Sequence, residues 1–291
     1  MKGTVLGIAG VGLIGGSIAL RAHAAGATVI GYDRDPEALR AAVAAGALDA
    51  TAPDLATLAE RSRIVAIALP VDVTIDVLAT TPQLERPELV FDVASVKLPV
   101  VASARELTHF VASHPLAGRE MGGFAAADAA LFEGRTWAIA PARDAAAQAR
   151  LEALVTALGA RPLVIGAGEH DRLVAISSHL PQLLSVALGA QLAAAGDADK
   201  RVYDLCGPGM ASMLRLAHSD AALWAPIAQA NAAAVAEALE AVAAALRATA
   251  AGLQAGDLDS LFVAFEGAHR AVRALERSAA GARSLPHAAP K

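Results

Sequence analysis

Up to residue 165 the chain alternates between two textures, and beyond it the alternation stops. Short, nearly all-apolar runs rich in β-branched residues fall at 4–8, 28–32, 64–69, 89–93, 109–112, 136–140 and 162–165. Alanine-rich stretches of helical length, such as 17–25 and 36–45, separate most of them. Strand then helix, repeated, builds a parallel sheet covered by helices on both faces. Strands buried on both faces are apolar throughout rather than alternating, as these runs are. The expected fold class is therefore α/β, with an N-terminal doubly wound, mostly parallel sheet. After Gly168 only helical patterns remain, at 170–195, 222–251 and 257–277, with a shorter piece at 210–217. Asp171 is expected to N-cap the first of these. The domains predicted are 1–167 for the sheet part and 168–278 for an all-α part, followed by a frayed tail at 279–291.

Composition narrows the function classes. Apolar residues make up 55% of the 291, enough for a sizeable core, while aromatics are only 3%. Much of the alanine belongs in helices, where it costs least. The net charge is −5 and no Lys/Arg run occurs, so neither a nucleic acid nor an anionic membrane surface finds an electrostatic footprint. The single cysteine, Cys206, excludes an intrachain disulfide and suits a reducing compartment. The opening residues run straight into a strand without a signal-peptide core, charges interrupt the apolar stretches, and no transmembrane helix is expected. These features predict a cytoplasmic protein, and no set of metal ligands is expected.

Gly10-Val11-Gly12-Leu13-Ile14-Gly15 matches G-x-G-x-x-G between a strand-like and a helix-like segment, the context a dinucleotide-binding loop requires. Gly10 would allow the tight turn, Gly12 the approach of a pyrophosphate, and Gly15 close packing of helix on strand. The helix N-terminus would face the phosphates with its partial positive charge. Asp33 ends the second strand, eighteen residues past Gly15, where an acid can accept from the adenosine ribose hydroxyls and repel a 2′-phosphate. This favours NAD over NADP, although Arg34 could pair with a phosphate. A glycine turn serving no nucleotide is the bland alternative.

Three further segments fall where strands of such a sheet should end, the place where ligands bind. They are Ala68-Leu69-Pro70, which would pass the nicotinamide side, then Asp92-Val93-Ala94-Ser95-Val96-Lys97, then Ser113-His114-Pro115-Leu116-Ala117-Gly118-Arg119-Glu120. With Gly10–Ser17, Ser178-His179-Leu180-Pro181, Arg215 and Trp224, these pieces stand in the order found in prephenate and arogenate dehydrogenases, which the chain resembles from Thr4 to about Arg277. The resemblance implies a Rossmann domain followed by a helical dimerisation domain, a homodimer, NAD as cofactor, and oxidative decarboxylation of prephenate or arogenate on the way to tyrosine.

It also implies roles. His114 would accept the ring hydroxyl proton, and histidine suits this because its neutral form is common near neutral pH. Ser95 would orient His114 or share the hydroxyl contact, with a helix N-cap as its alternative use. Arg215 would clamp the side-chain carboxylate with its planar fork, the alternative being an ion pair within a dimer. His179 should face the cleft near that side chain, unless it is a satisfied histidine between helices. Trp224 divides evenly between ligand wall and core, and Glu120 between site mouth and solvated surface. Lys97 should support its loop, and Cys206 reads as a packed small residue.

The sequence also departs from the family. Many members carry G-G-G-F-[RK]-D where this chain has Gly207-Pro208-Gly209-Met210-Ala211-Ser212, so an ion-pair gate built on those charges should be absent. A 3-hydroxyacid dehydrogenase normally uses a helical lysine, and here Lys200 lies in a polar turn instead. A non-catalytic NAD-binding sensor would need neither a base nor a carboxylate clamp.

Overall fold

A computed structural model describes residues 1–119 and 121–283. Five of the expected apolar runs form strands of one sheet: β1 (Val5–Ala9), β2 (Thr28–Tyr32), β4 (Ile64–Ile67), β5 (Leu89–Asp92) and β6 (Phe110–Val111). A two-residue strand, β3 (Ala50–Thr51), was not anticipated. The order is β3-β2-β1-β4-β5-β6 and every pairing is parallel. This is the doubly wound order whose crevice opens where the strand order reverses, between β1 and β4.

Helices α1 (Leu13–Ala24), α2 (Pro36–Ala44), α3 (Leu55–Arg61), α4 (Val71–Thr80) and α5 (Leu98–Ser103) form the crossovers. Two apolar clusters result, one containing Leu6, Ile8, Ile18 and Phe91 and the other Val65, Ile67, Leu58 and Val90. Neighbouring residues of one strand thus feed opposite faces, Leu89 and Phe91 one, Val90 the other.

The chain then changes sheets. Strands β7 (Ser113–Pro115), β8 (Thr136–Ile139) and β9 (Arg161–Val164) form a second, three-stranded sheet, with β7–β8 antiparallel and β8–β9 parallel. Helix α6 (Ala145–Ala157) joins β8 to β9. The Ala112 carbonyl accepts from Ala140 N at 2.8 Å, so the switch falls immediately before Ser113 and His114.

Helix α7 (Ala167–Val174) leads through a π-helical turn (Ala175–His179) into α8 (Leu180–Ala198) without a break. Asp171 lies inside α7, whose N-cap is Gly166, so it does not cap its own helix. Pro181 offers no N–H to the preceding turn, a physical reason for the widened register there. The run 167–198 is apolar and long enough to cross a membrane by composition, against the expectation of no such helix. It buries His170, Asp171, His179, Gln182 and Ser185, and these make hydrogen bonds within the protein.

Short helices α9 (Arg201–Asp204) and α10 (Pro208–Leu214) follow, then a 3-10 turn (Arg215–His218) and α11 (Ala221–Ala230). The pattern expected as one helix at 222–251 breaks at Asn231, after which α12 (Ala232–Ala255) begins. The last helix, α13 (Leu258–Arg283), continues past 277 and takes in part of the expected tail, whose remainder lies outside the described residues. Residues 1–235 form one compact unit and the residues from 236 onward another.

Candidate active site

The glycine loop is built as its spacing requires. Gly10 has φ +91°, and a Cβ there would stand 2.3 Å from the Ala68 carbonyl oxygen. A Cβ on Gly15 would stand 1.9 Å from the Gly10 carbonyl, so helix α1 can leave β1 at this angle only with glycine. Gly12 differs, because a Cβ there would meet no protein atom within 4 Å, and the backbone faces open space at the start of α1. Leu13 and Ile14 form the first turn of α1.

Asp33 accepts from Val11 N at 2.7 Å and from Asp35 N at 2.9 Å, tying the end of β2 to the loop. Each carboxylate oxygen keeps a further lone pair for a hydroxyl donor. Arg34 beside it is exposed. Leu69 and Pro70 follow β4 across the crevice, with the Leu69 side chain against Gly10 and Pro70 capping α4. The cradle fits a dinucleotide: the close contacts fall on glycines, open space on Gly12, and an acid at the ribose position.

Beyond β5 the polar residues condense into a buried network. Asp92, fully buried, ends an apolar strand and accepts from Ala94 N and Ser113 N, each at 2.9 Å. It also accepts from Lys97 Nζ, which donates in addition to the Ser113 carbonyl at 2.6 Å. Lys97 is only 1% exposed. Burial pushes the Asp92 carboxyl up and the Lys97 ammonium down, each opposed by the charge of the other. The Ser113 hydroxyl donates to the Asp92 carbonyl at 2.6 Å and accepts from Trp137 Nε1 at 3.0 Å. The residue before His114 is thus fixed at its backbone N–H, its carbonyl and its side chain.

His114 is half-buried, and its Nδ1 lies 3.0 Å from Nε2 of His170. His170 Nδ1 lies 2.8 Å from the Asp171 carboxylate, which also accepts from Lys97 N at 2.7 Å and Leu98 N at 2.8 Å. Asp171 therefore caps α5 from another helix. His114 Nε2 makes no hydrogen bond among the described residues. Burial first, then the charges of Lys97, His170 and His179, hold the His114 pKa well below the ordinary histidine range. The ring is consequently neutral at physiological pH and able to accept a proton.

His179 sits close by, 1% exposed. Asn231 Nδ2 lies 3.3 Å from its Nδ1 and donates to the Asp171 carbonyl at 2.8 Å. Its Nε2 is buried with no hydrogen-bond partner among the described residues. Burial lowers the His179 pKa, with Asp171 opposing and His170 reinforcing the shift. Trp224 is half-buried and packs edge-on to His179 at 5.9 Å between ring centres.

Arg215 opens the 3-10 turn, which Gln182 of α8 holds through the Leu216 carbonyl at 2.7 Å, while Ser185 holds the end of α10 through the Met213 carbonyl at 2.8 Å. It is exposed, so the cost of burying a charge in its apolar sequence neighbourhood does not arise. Ser95 is half-buried, and the α5 N-cap position belongs to Lys97, not to Ser95. His114 Nδ1 is engaged by His170. Glu120 lies outside the described residues. Cys206 is half-buried, with Sγ 3.3 Å from the Val202 carbonyl.

Sequence reasoning thus missed His170 as a neighbour of His114 and the reach of Asp171. The available signal was the adjacent His-Asp pair opening the helical run. It also undervalued Lys97, whose flanking Val96 and Leu98 marked it as a charge entering the interior.

Loop and sheet together define the class: a Rossmann-type nucleotide-binding protein with a buried histidine cluster beyond the strand ends. Residues 17–164 match the family model for the nucleotide-binding domain of prephenate dehydrogenase, and 166–267 that for its dimerization domain. The chain belongs to the prephenate dehydrogenase family. A probable prephenate dehydrogenase of Streptomyces niveus, NovF, is 36% identical over 80% of this chain and 64% of its own length. The prephenate dehydrogenase of Bacillus subtilis is 30% identical over 92% of this chain and 75% of its own. Among solved structures, the A. aeolicus prephenate dehydrogenase bound to hydroxyphenyl propionate and NAD+ superposes with a TM-score of 0.86. It is 23% identical and matches over 94% of this chain and 99% of that one. The chain therefore spans less than two thirds of NovF and three quarters of the Bacillus enzyme.

Proposed function

We propose that this chain is an NAD-dependent prephenate dehydrogenase, converting prephenate to 4-hydroxyphenylpyruvate in tyrosine biosynthesis. The observation that carries this reading is His114: a histidine held neutral by burial and by Lys97, with Nδ1 engaged and Nε2 left for a ligand. NAD supplies the hydride acceptor. The glycine loop with Leu13 and Ile14 holds its pyrophosphate, Asp33 its ribose, and Leu69 and Pro70 border the nicotinamide side.

The chain's own work is to accept a proton and to hold carboxylates. His114 Nε2 takes the proton of the ring hydroxyl, so that this carbon can give up hydride and become carbonyl-like. The ring carboxylate then leaves as CO2, its C–C electron pair aromatises the ring, and the former carbonyl oxygen takes back the proton from His114 to become the phenol of the product. Ser95, on the loop between β5 and Lys97, shares the hydroxyl contact. The buried Nε2 of His179 matches a substrate acceptor, with Trp224 walling that end. Arg215 engages the side-chain carboxylate with its planar fork.

Arogenate is the second reading. Ala211 and Ser212 stand exposed on α10, at the positions where the family pattern G-G-G-F-[RK]-D would put a basic and an acidic residue. A site without that pair is less committed to the pyruvyl side chain.

The domains serve as 1–167 for cofactor and 168–278 for substrate and dimerisation, in a cytoplasmic homodimer. Support for the dimer comes from α12 and α13, where Leu246, Leu253, Phe262, Phe265 and Leu275 are exposed in the single chain. Light scattering should give twice the chain mass. Mixing the protein with NAD+ and either prephenate or arogenate, and following NADH absorbance, tests the activity; no NADH with either substrate refutes it.

A further inference from the structure

We propose that His170, anchored by Asp171, is a positioning residue that fixes the protonation of His114. The inference rests on the reading of His114 as the proton acceptor. A carboxylate only accepts hydrogen bonds. Asp171 therefore draws the proton of a neutral His170 onto Nδ1, 2.8 Å away. His170 Nε2 is then a lone pair, and the 3.0 Å contact to His114 is made only if His114 donates from Nδ1. The proton of a neutral His114 thus sits on Nδ1, and its lone pair on Nε2, the nitrogen that accepts from the substrate.

The same chain answers the charge that develops. When the substrate O–H bond breaks, the proton moves to His114 Nε2 and the ring becomes a cation. Its Nδ1–H then donates a charge-assisted hydrogen bond to His170, with the Asp171 carboxylate behind it. The contact is stronger in the transition state than before it, so it acts on kcat.

The surroundings keep the chain rigid. His170 is 3% and Asp171 2% exposed. Asp171 is held by Lys97 N and Leu98 N, and its carbonyl by Asn231. The titratable groups facing this pair are Lys97 from the β5–α5 loop, His114 from β7 and His179 from the π turn, with Asp92 behind Lys97.

Two variants and one spectrum test the proposal. His170→Leu keeps an apolar filling but removes the acceptor. His170→Gln offers an amide oxygen at about the reach of the lost Nε2. Loss of a hydrogen bond to a charged group predicts a fall in kcat of about ten- to a hundred-fold for His170→Leu, with KM for prephenate little changed. His170→Gln should recover most of it. Nitrogen-15 NMR of the cofactor-free protein should show His114 protonated at Nδ1 in the wild type and in His170→Gln, and a mixture of tautomers in His170→Leu.

A wild-type His114 protonated at Nε2 overturns the proposal, as does full kcat in His170→Leu. So does a loss in His170→Leu that leaves the tautomer unchanged and that Gln does not recover. Should His170→Leu fail to fold, the wild-type spectrum and the Gln variant still decide. Absence of NADH formation in the wild type would refute the activity, while the spectrum continues to test the histidine pair separately.

Discussion

Replacing Lys97 by methionine would expose how much of the fold depends on one buried ion pair. Lys97 and Asp92 are 1% and 0% exposed, so neither charge can turn to water if the other is lost. Removing one partner of such a pair typically costs about 3–5 kcal/mol. Asp92 would retain the N–H groups of Ala94 and Ser113 at 2.9 Å, which places Lys97→Met near the lower end of that range. A domain of this size loses about 2–4 °C of Tm per kcal/mol, so calorimetry should record a drop of about 6–12 °C.

The deficit should depend on pH with a definite sign. Without the ammonium, the buried Asp92 carboxyl has a folded pKa raised above its unfolded value. A group raised in this way contributes its stability below the unfolded pKa and loses it as pH rises through the folded one. The variant should therefore lie closer to wild type near pH 5 than near pH 8. Adding Asp92→Asn should recover part of the loss, so the double variant costs less than the sum of the singles. A Lys97→Met protein melting with wild type at both pH values would refute the view that the pair is interdependent.

Substitution of His114 by asparagine should lower kcat by about a hundred-fold or more with KM near its starting value; in the wild type, the acid limb of kcat/KM should fall below the ordinary histidine range, since burial and Lys97 hold the ring neutral there. Arg215→Ala should mainly raise KM, by about 2–4 kcal/mol of apparent binding, and an unchanged KM for both prephenate and arogenate would make the arginine structural. Asp33→Ser should narrow the preference for NAD+ over NADP+ and weaken both, because the carboxylate also holds Val11 N; equal efficiencies with the two cofactors in the unmutated protein would contradict the role of the acid.

What could be read in advance followed local signals. The strand runs, the glycine loop and Asp33 are set by short-range sterics and by burial on both sheet faces, which leave their mark within a few residues. The change of sheet at Ala112 left no such mark, since β6 and β7 follow one another with one residue between them and only the partners differ. Asp171 shows the same limit. An acid near a helix start reads as a cap, and a cap it is, but for α5, 73 residues earlier in the chain from Leu98. His114 was legible from its motif, whereas its neighbour His170 required knowing that α7 packs beside β7.

The trans cap has a consequence for how such proteins can be recombined. The two family models meet between residues 164 and 166, and the seam looks like a natural place to exchange halves between relatives. Yet the hydrogen bonds from Lys97 and Leu98 to Asp171, and the one between His114 and His170, cross that seam. A chimera joined there would unite a loop and a helix selected for different counterparts. Modularity of folding and modularity of chemistry part company at residue 165, and any grafted helical half must bring its own matching loop.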